Sequence, residues 1–459
     1  MKKIPLIILV GLMCTLTSCE IFEVLEPQPQ QSLSDVTAVQ NAKDAESALT
    51  GVYSALQADA YYFRMQPIYG PLLSGYMSST TSTTRNITFQ SETNSVQPGD
   101  NTLSNSWRDI YRMANRASNV IDKVGALSDK AGFVGSRKNE ILGEARFLRA
   151  LAHFDALRFF GQFWDPSSSL GIPLRLVPGD AINAQLKRST VAEVYASINE
   201  DLDFAIANAP SFGQSFLVSA EAAKALKARV ALYEGKYAEA AQLADEVIGS
   251  GVFSLENNYA DIFVNRLNSP ELVFGVFASQ VEGSGHTFFL LAPSSPLGQG
   301  RYDYAPSQAY LDLMDGDPRS EASFGFAPEG PEVRKYPNLT IGDDPTYVIR
   351  LAELYLIKAE ALARSGGTIA DARTALNVVR ARAGVEPSQA QTAEELLAEI
   401  QLEKVKELAF EGSHEWFDAI RFGNIRQIKT TVLSENQFVL PIPSDEVDPN
   451  NELDQNPGY

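Results

Sequence analysis

Residues 350–367 read RLAELYLIKAEALARSGG, and this stretch decides the fold. Apolar side chains cover more than one face of the helix that it predicts, and small residues between them allow close helix approach. Gly366 and Gly367 end this helix, and residues 369–383 predict an antiparallel partner helix. A helix that is apolar over most of its surface is packed between neighbours, as in a stacked helical array. The residues of this pattern are Leu351, Ala352, Leu354, Tyr355, Leu356, Ile357, Ala359, Ala361, Leu362 and Ala363.

A second stretch has the same internal order. Residues 231–248 (ALYEGKYAEAAQLADEVI) and 361–379 (ALARSGGTIADARTALNVV) each read as a helix, a glycine turn and an alanine-rich helix. The pattern of small residues around the turn resembles half of a tetratricopeptide repeat. Further helices are predicted by apolar periodicity at 35–57, 103–124, 136–160, 190–208 and 219–234. Ser189 and Thr190, with Glu193, are the cap candidates for the helix at 190–208.

Two long segments lack helical periodicity. Residues 58–101 and 252–347 are rich in Gly, Pro and aromatic residues, and we interpret them as loops and short strands over a helical base. Within the second segment, 272–279 (LVFGVFAS) predicts a strand and 307–314 a short helix. The predicted fold class is therefore mostly α, with tetratricopeptide-like helix pairs, long irregular loops and a few short strands.

The composition excludes several kinds of partner and site. The chain has 459 residues, of which 44% are hydrophobic, and its formal net charge of −19 argues against binding to nucleic acid. Its three histidines are far apart, and both cysteines lie within the first 20 residues. We therefore predict no cofactor, no dedicated metal site and no disulfide in the remaining chain.

The N-terminus predicts an exported protein. Lys2 and Lys3 precede an apolar run at 4–13 that is too short to span a bilayer. Residues 16–19 (LTSC) resemble the lipobox of bacterial lipoproteins, in which cleavage before the cysteine is followed by its acylation. We predict a signal peptide at 1–18, lipidation at Cys19 and a polar tether at 19–34. The alternative is an ordinary secretory signal with a chance cysteine.

One row of carboxylates could suggest glycoside hydrolysis. Glu403, Glu407 and Glu411 stand four residues apart on one helix face. A catalytic pair must flank its substrate in unlike environments, and a row beside Lys404 and Lys406 is better explained as a solvated or ion-paired face. The sequence also lacks a GxSxG motif. We predict no catalytic residues and a protein that is not an enzyme.

Several motifs in a specific order point to one family. They are 44–56 (DAESALTGVYSAL), Trp107, Tyr111 and Asn115 (W-x3-Y-x3-N), 149–161 (RALAHFDALRFFG), 350–366, 373–384 (RTALNVVRARAG), 407–423 (ELAFEGSHEWFDAIRFG) and 440–459 (LPIPSDEVDPNNELDQNPGY). In these segments, and most of all in the ending, the chain resembles the SusD/RagB family of outer-membrane nutrient-binding lipoproteins. One departure is His414, where the family commonly has arginine, and this departure affects a buried ion pair expected there.

The resemblance implies a function as well as a fold. It implies a helical scaffold with a ligand surface on the irregular segments, at the outer membrane and anchored by lipid. It also implies a partner, a SusC-like TonB-dependent transporter, into which a glycan or, in some members, a peptide is delivered. We expect one compact unit made of an N-terminal part (35–250) and a C-terminal part (251–459). A purely protein-binding helical scaffold and a surface hydrolase are the other hypotheses.

Glycan capture requires aromatic rings on which sugar rings pack, with planar polar groups around them. The two irregular segments carry such residues, and Phe288 and Phe289 are weaker candidates. The alternative for each ring is that it fills the core beneath the loops. For Trp107, whose spacing to Tyr111 is helical, core packing is favoured over ligand contact. The predicted ligand-binding residues are Tyr61, Tyr62, Arg64, Tyr69, Tyr76, Arg301, Tyr302 and Tyr304.

Overall fold

A computed structural model describes residues 39–80, 90–128, 131–179, 185–279, 285–339 and 342–459. The predicted signal peptide, Cys19 and the tether lie outside these residues. The described chain is mostly helical with a few short strands, which confirms the predicted fold class. No helix within it is long and apolar enough to cross a membrane.

The helices of the first half match the predicted periodicity closely. The first begins at Ala42, where the Asn41 side chain accepts a hydrogen bond from the Asp44 N–H and caps the helix. Its predicted start at residue 35 lies outside the described residues. Thr190 and Glu193 form the predicted capping box of the fifth. A π-helical turn at Met65–Tyr69 adds helix where loops were predicted. In chain order the helices are α1 (Ala42–Leu56), α2 (Gly70–Ser74), α3 (Asn101–Ala126), α4 (Arg137–Phe160), α5 (Val191–Asn208), α6 (Ala220–Tyr233) and α7 (Tyr237–Gly249).

The second half begins with short elements and ends in another helical block. The predicted pair of helices around Gly366 is confirmed, since one ends at Arg364 and the next begins at Ile369. The 3-10 turns are Arg266–Asn268 and Glu435–Phe438. The helices are α8 (Asp261–Asn265), α9 (Gly285–Leu290), α10 (Gln308–Leu313), α11 (Ser320–Ser323), α12 (Leu351–Arg364), α13 (Ile369–Arg382), α14 (Ala393–Leu408), α15 (His414–Arg421), α16 (Ile425–Ile428) and α17 (Ser444–Val447).

The described strands form three antiparallel pairs. Strand β2 (Leu272–Val276) confirms the prediction at 272–279, although it ends earlier. It pairs with β6 (Thr346–Arg350), the strand that leads into α12. A second pair joins the two irregular segments, and a third is a hairpin. The strands are β1 (Met77–Ser79), β2 (Leu272–Val276), β3 (Tyr304–Pro306), β4 (Phe324–Ala327), β5 (Gly330–Val333) and β6 (Thr346–Arg350), paired as β1–β3, β2–β6 and β4–β5.

Helix α12 lies at the centre of the helical block. It packs against α6, α7, α13 and α14, as its broad apolar surface predicts. One cluster of buried apolar side chains includes residues from Ala45 to Leu453 and so crosses the predicted boundary at residue 250. Trp416 and Phe417 belong to it. Burying a side chain of Leu size stabilises the fold by about 1.5–3 kcal/mol, so this cluster supplies the main driving force.

The row of carboxylates on α14 and beyond is buried. Arg350 donates hydrogen bonds to Glu407 (2.9 Å) and Glu411 (2.7 Å), and the Nη1 atom of Arg319 lies 2.7 Å from Glu403. These side chains are no more than 3% exposed. The ion-paired interpretation is therefore confirmed and the solvated one is wrong. Removing a charge from water costs several kcal/mol, and only close, hydrogen-bonded opposite charges offset that cost. These buried groups are therefore stable only as a network.

Candidate ligand-binding surface

The pairing of β1 with β3 brings the two irregular segments together. Ser79 lies opposite Tyr304 in this pair. Just beyond it, the Ser307 N–H donates to the Tyr76 carbonyl (3.0 Å) and the Ser307 hydroxyl to the Gly75 carbonyl (2.7 Å). The contact joins residues more than 200 positions apart in the chain. Side chains that the sequence places in separate segments therefore share one surface.

At this junction the Phe289 ring lies between two guanidinium groups. The Cζ atom of Arg64 is 4.5 Å from the ring centroid, and that of Arg301 is 4.7 Å from it. A cation over an aromatic face is attracted by the ring quadrupole. Arg64 is paired with Asp59, and Arg301 with Asp303. Two predicted residues, Arg64 and Arg301, thus meet in a charge-balanced stack with a ring that was only a weaker candidate.

Tyr302 is half-buried and is held by the hairpin β4–β5. Its hydroxyl donates a 3.0 Å hydrogen bond to the Pro331 carbonyl. A Cβ at Gly330 would lie 2.5 Å from that hydroxyl, so the glycine permits the contact. Burial, followed by the charges of Glu329 and Glu332, raises the pKa of Tyr302. The tyrosine therefore stays a neutral donor with part of its side chain open to solvent.

Two phenylalanines in this region are exposed. Phe288 is 42% exposed and packs edge-on against Phe289, whose centroid is 5.6 Å away. Phe326 is 65% exposed on β4, directly opposite Pro331 in the hairpin. Phe326 was not predicted, because 316–346 was interpreted as loop material. The alternation in FGFA at 324–327 was the signal for a strand that could have found it.

Tyr61 and Tyr62 are core residues in this structure. Both hydroxyls donate to one carboxylate oxygen of Asp155, at 2.5 and 2.8 Å, and Asp155 is also paired with Arg158. Neither ring is more than 2% exposed. Burial and the charge of Asp155 raise the pKa of both tyrosines well above the ordinary value. Because their hydroxyls bind the buried Asp155 carboxylate beneath the loops, neither ring offers a face to a ligand.

Three more predicted tyrosines lie below the surface. Tyr69 is 1% exposed in the π-helical turn, and burial raises its pKa. Tyr76 packs edge-on against Tyr310, with centroids 6.4 Å apart, and Tyr304 lies 6.4 Å from Phe289. All three support the surface from beneath. Of the eight predicted residues, Arg64, Arg301 and Tyr302 reach solvent at the junction.

The polar surroundings do not form a metal site. Among the residues that the structure describes, no group of three His, Cys, Asp or Glu side chains could hold a metal ion. Asp303 is buried and committed to Arg301. What the junction offers is an aromatic and guanidinium surface with hydrogen-bonding groups at its edge.

Comparison with known proteins identifies the family to which this architecture belongs. A family model described as "Starch-binding associating with outer membrane" matches residues 24–232, and one described as "SusD family" matches residues 314–432. The chain belongs to the SusD/RagB family. The SusD-like protein P38 of Formosa agariphila is 26% identical in an alignment that covers 100% of this chain and 99% of that protein. A SusD-like protein of Bacteroides ovatus is 24% identical, over 86% of this chain and 78% of the relative.

Solved structures of the SusD family share the fold. A laminarin-binding SusD-like protein superposes with a TM-score of 0.77 at 25% identity, over 92% of this chain and 100% of that one. A SusD superfamily protein from Bacteroides thetaiotaomicron gives a TM-score of 0.78 at 24% identity, over 91% and 100%. The likeness therefore extends over nearly the whole chain.

Proposed function

We propose that this protein captures oligosaccharide or polysaccharide at the cell surface and passes it to a SusC-like TonB-dependent transporter in the outer membrane. Family membership supports the proposal, as does the likeness to a structure described as laminarin-binding. We further propose that Cys19 carries the lipid anchor, with 19–34 as the tether. Several acyl chains together anchor a protein stably, since each buried methylene contributes about 0.8 kcal/mol.

The observation that carries the proposal is the Arg64–Phe289–Arg301 stack beside exposed aromatic rings. The C–H faces of a sugar pack on exposed rings such as Phe288 and Phe326, while guanidinium and phenol groups hydrogen-bond its hydroxyls. Each arginine is already paired with an aspartate, so the surface has no excess charge. Such a surface suits an uncharged sugar chain.

Within the described residues, the carboxylates that the sequence offers as a catalytic row, and those beside the two stacked arginines, are all paired with cations. Glu403, Glu407 and Glu411 are each engaged by buried cations. Asp59 and Asp303 are ion-paired with the two arginines of the stack. We therefore propose that capture proceeds without turnover.

The test is isothermal titration of the protein lacking residues 1–19 against a panel of neutral glycans, with analysis of the products. We expect saturable binding to one glycan class and no cleavage. Tyr302→Ala and Phe326→Ala should each weaken this binding by about ten-fold, since covering part of an aromatic ring with an apolar sugar face contributes on the order of 1–2 kcal/mol. Val134→Ala, a truncation at a side chain that is 84% exposed, is the control and should leave affinity unchanged.

The outcomes separate the hypotheses. Cleavage of a polysaccharide would sink the capture proposal and favour a hydrolase. Binding of oligopeptides with no binding of any glycan would favour a peptide-binding, RagB-like role. If a glycan binds equally well to both aromatic variants, the surface described here is the wrong one.

A further inference from the structure

A second groove lies between helix α3 and the C-terminal segment. Its volume is about 390 Å³, and it shares no residue with the surface at the β1–β3 junction. Tyr111 and Asn115 of α3 form one wall, Pro173 and Gly179 of the connection after α4 form another, and Asn450 closes the third. Three segments that are distant in sequence thus meet around one cavity.

Hydrogen bonds tie these walls to one another. The Tyr111 hydroxyl donates to the Pro173 carbonyl (2.8 Å), and the Gly179 N–H donates to Asn115 Oδ1 (2.6 Å). The Asn450 amide donates to the Leu186 carbonyl (3.0 Å). A groove whose walls are cross-linked in this way keeps its shape, which lowers the entropy cost of binding.

The groove is basic in a strongly acidic chain. Among the described residues that line it, three carry guanidinium groups, Arg108, Arg112 and Arg175, and one carries a carboxylate, Glu446. Burial raises the pKa of Glu446, while the Trp107 side chain beside it acts in the opposite direction. The protein as a whole has a net charge of −19, so a local excess of arginine distinguishes this groove and favours an anionic ligand there.

Two of these arginines keep hydrogen-bonding capacity. The side chains of Arg108 and Arg112 are 58% and 42% exposed. Both lie near the same oxygen of Asp109, at 3.6 and 3.1 Å, yet within the described residues that oxygen accepts no hydrogen bond. These are attractions between charges without directed bonds. The planar N–H groups can therefore turn to a carboxylate, for which the guanidinium fork is well matched.

We propose that this groove binds a carboxylate-bearing sugar, a uronate unit of an oligosaccharide. Arg108 and Arg112 receive the carboxylate, the partly exposed Tyr111 ring packs on the sugar, and the amides of Asn115 and Asn450 face its hydroxyls. The charge-balanced surface at the β1–β3 junction and this basic groove then select different sugars. The inference stands apart from the proposed function, because it depends on none of the residues of the first surface.

The experiment is titration of the protein lacking residues 1–19 with oligouronides of galacturonate, glucuronate, mannuronate and guluronate, each beside its methyl ester. Esterification removes the charge and leaves the ring. We expect one uronide class to bind, its ester to bind at least about ten-fold more weakly, and added salt to reduce affinity. The double variant Arg108→Gln, Arg112→Gln should lose at least about ten-fold as well.

Two controls separate this groove from other effects. Arg426→Gln removes an arginine that is 47% exposed outside the groove, and Tyr302→Ala alters the first surface. Both should leave uronide binding unchanged. Thermal unfolding checks that the double variant is folded at the temperature of the titration, since the two substitutions remove the cations beside the buried Asp109.

Four results would overturn the inference. They are an absence of binding to any uronide, equal binding of the methyl ester, full affinity in the folded double variant, and equal binding of a glutamate-rich peptide. If the protein binds a uronide but no neutral glycan, that result would count against the proposed function and not against this inference.

Discussion

Arg229 and Glu353 form a buried, two-pronged ion pair between helices α6 and α12. Both hydrogen bonds, Nε to Oε1 and Nη2 to Oε2, are 2.6 Å long, and each side chain is 3% exposed. His414 lies beside this pair, with its Nε2 atom 4.0 Å from Glu353. Burial lowers the pKa of His414 well below its ordinary value, so the imidazole is neutral. The cation that compensates Glu353 is thus Arg229, and the neutral His414 is not needed to complete this ion pair.

Glu353→Gln should destabilise the fold strongly. The substitution leaves the Arg229 charge buried without its partner, which costs about 3–5 kcal/mol. Asp245→Asn is the matched control, because Asp245 pairs with Lys358 of the same helix α12 but is 61% exposed. Exposed pairs contribute less than about 1 kcal/mol. Urea denaturation measures both free energies of unfolding, and equal losses would contradict the assigned roles.

Glu415 predicts a pH dependence of stability. Burial raises its pKa to about 8, and its two carboxyl oxygens have no hydrogen-bond partner on another residue in the described chain. The folded protein therefore holds a proton that the unfolded chain, with a pKa of 4.5, has released. The stability of the fold should decrease as the pH rises from about 4.5 to about 8, because the buried Glu415 carboxyl resists ionisation while the same group ionises readily in the unfolded chain.

Glu415→Gln removes this dependence, since the amide stays neutral. The variant should gain stability relative to the parent as the pH rises, by more than about 1 kcal/mol at pH 8.5. Urea denaturation from pH 5 to 8.5 measures the difference. Glu435→Gln, at a carboxylate that is 67% exposed, should show no such trend. A difference that stays constant with pH would mean that Glu415 is ionised throughout.

Two glycine-to-alanine changes should have opposite effects. A Cβ at Gly70 would lie 2.3 Å from the Ser413 Cβ, whose hydroxyl is fixed to the Gln66 carbonyl. Gly70→Ala should cost about 2 kcal/mol through overpacking. A Cβ at Gly51, within α1, meets nothing within 4 Å, so Gly51→Ala should stabilise by about 0.5–1 kcal/mol. Thermal unfolding measures the direction of both stability changes. A Gly70→Ala variant as stable as the parent would show that the contact between α2 and α15 adjusts to the added methyl group.

Phe289→Leu tests whether the stacked ring positions the two arginines. Without the ring, Arg64 and Arg301 lose their shared cation–π contact, and affinity for the neutral glycan should fall by about three- to ten-fold. Phe212→Leu is the control, since it removes a ring that packs on Phe253, with centroids 4.7 Å apart, away from the surface. Calorimetry measures the affinities. Unchanged binding by a folded Phe289→Leu variant would remove the stack from the proposed site.

Local patterns predicted the helices because each helix depends on residues that are neighbours in the chain. The apolar surface of α12, the cap at Thr190 and the turn at Gly366 were all recognisable from spacing alone. The same patterns, with the ending at 440–459, indicated the family. Periodicity says which face is covered, but it does not say by what. That is why the α14 carboxylates could be identified as a row and not as a buried network.

The candidate surface depended on contacts that no spacing encodes. Tyr61 and Tyr302 were equally plausible from sequence, yet Asp155 draws the first into the core while the hairpin holds the second at the surface. Arg64 and Phe289 belong to the two irregular segments that the β1–β3 pair joins. The sequence by itself determined most of the long helices, the helix pair around Gly366 and the family. The tertiary structure decided which loop side chains reach solvent together, because burial depends on long-range packing and on where buried charges find partners.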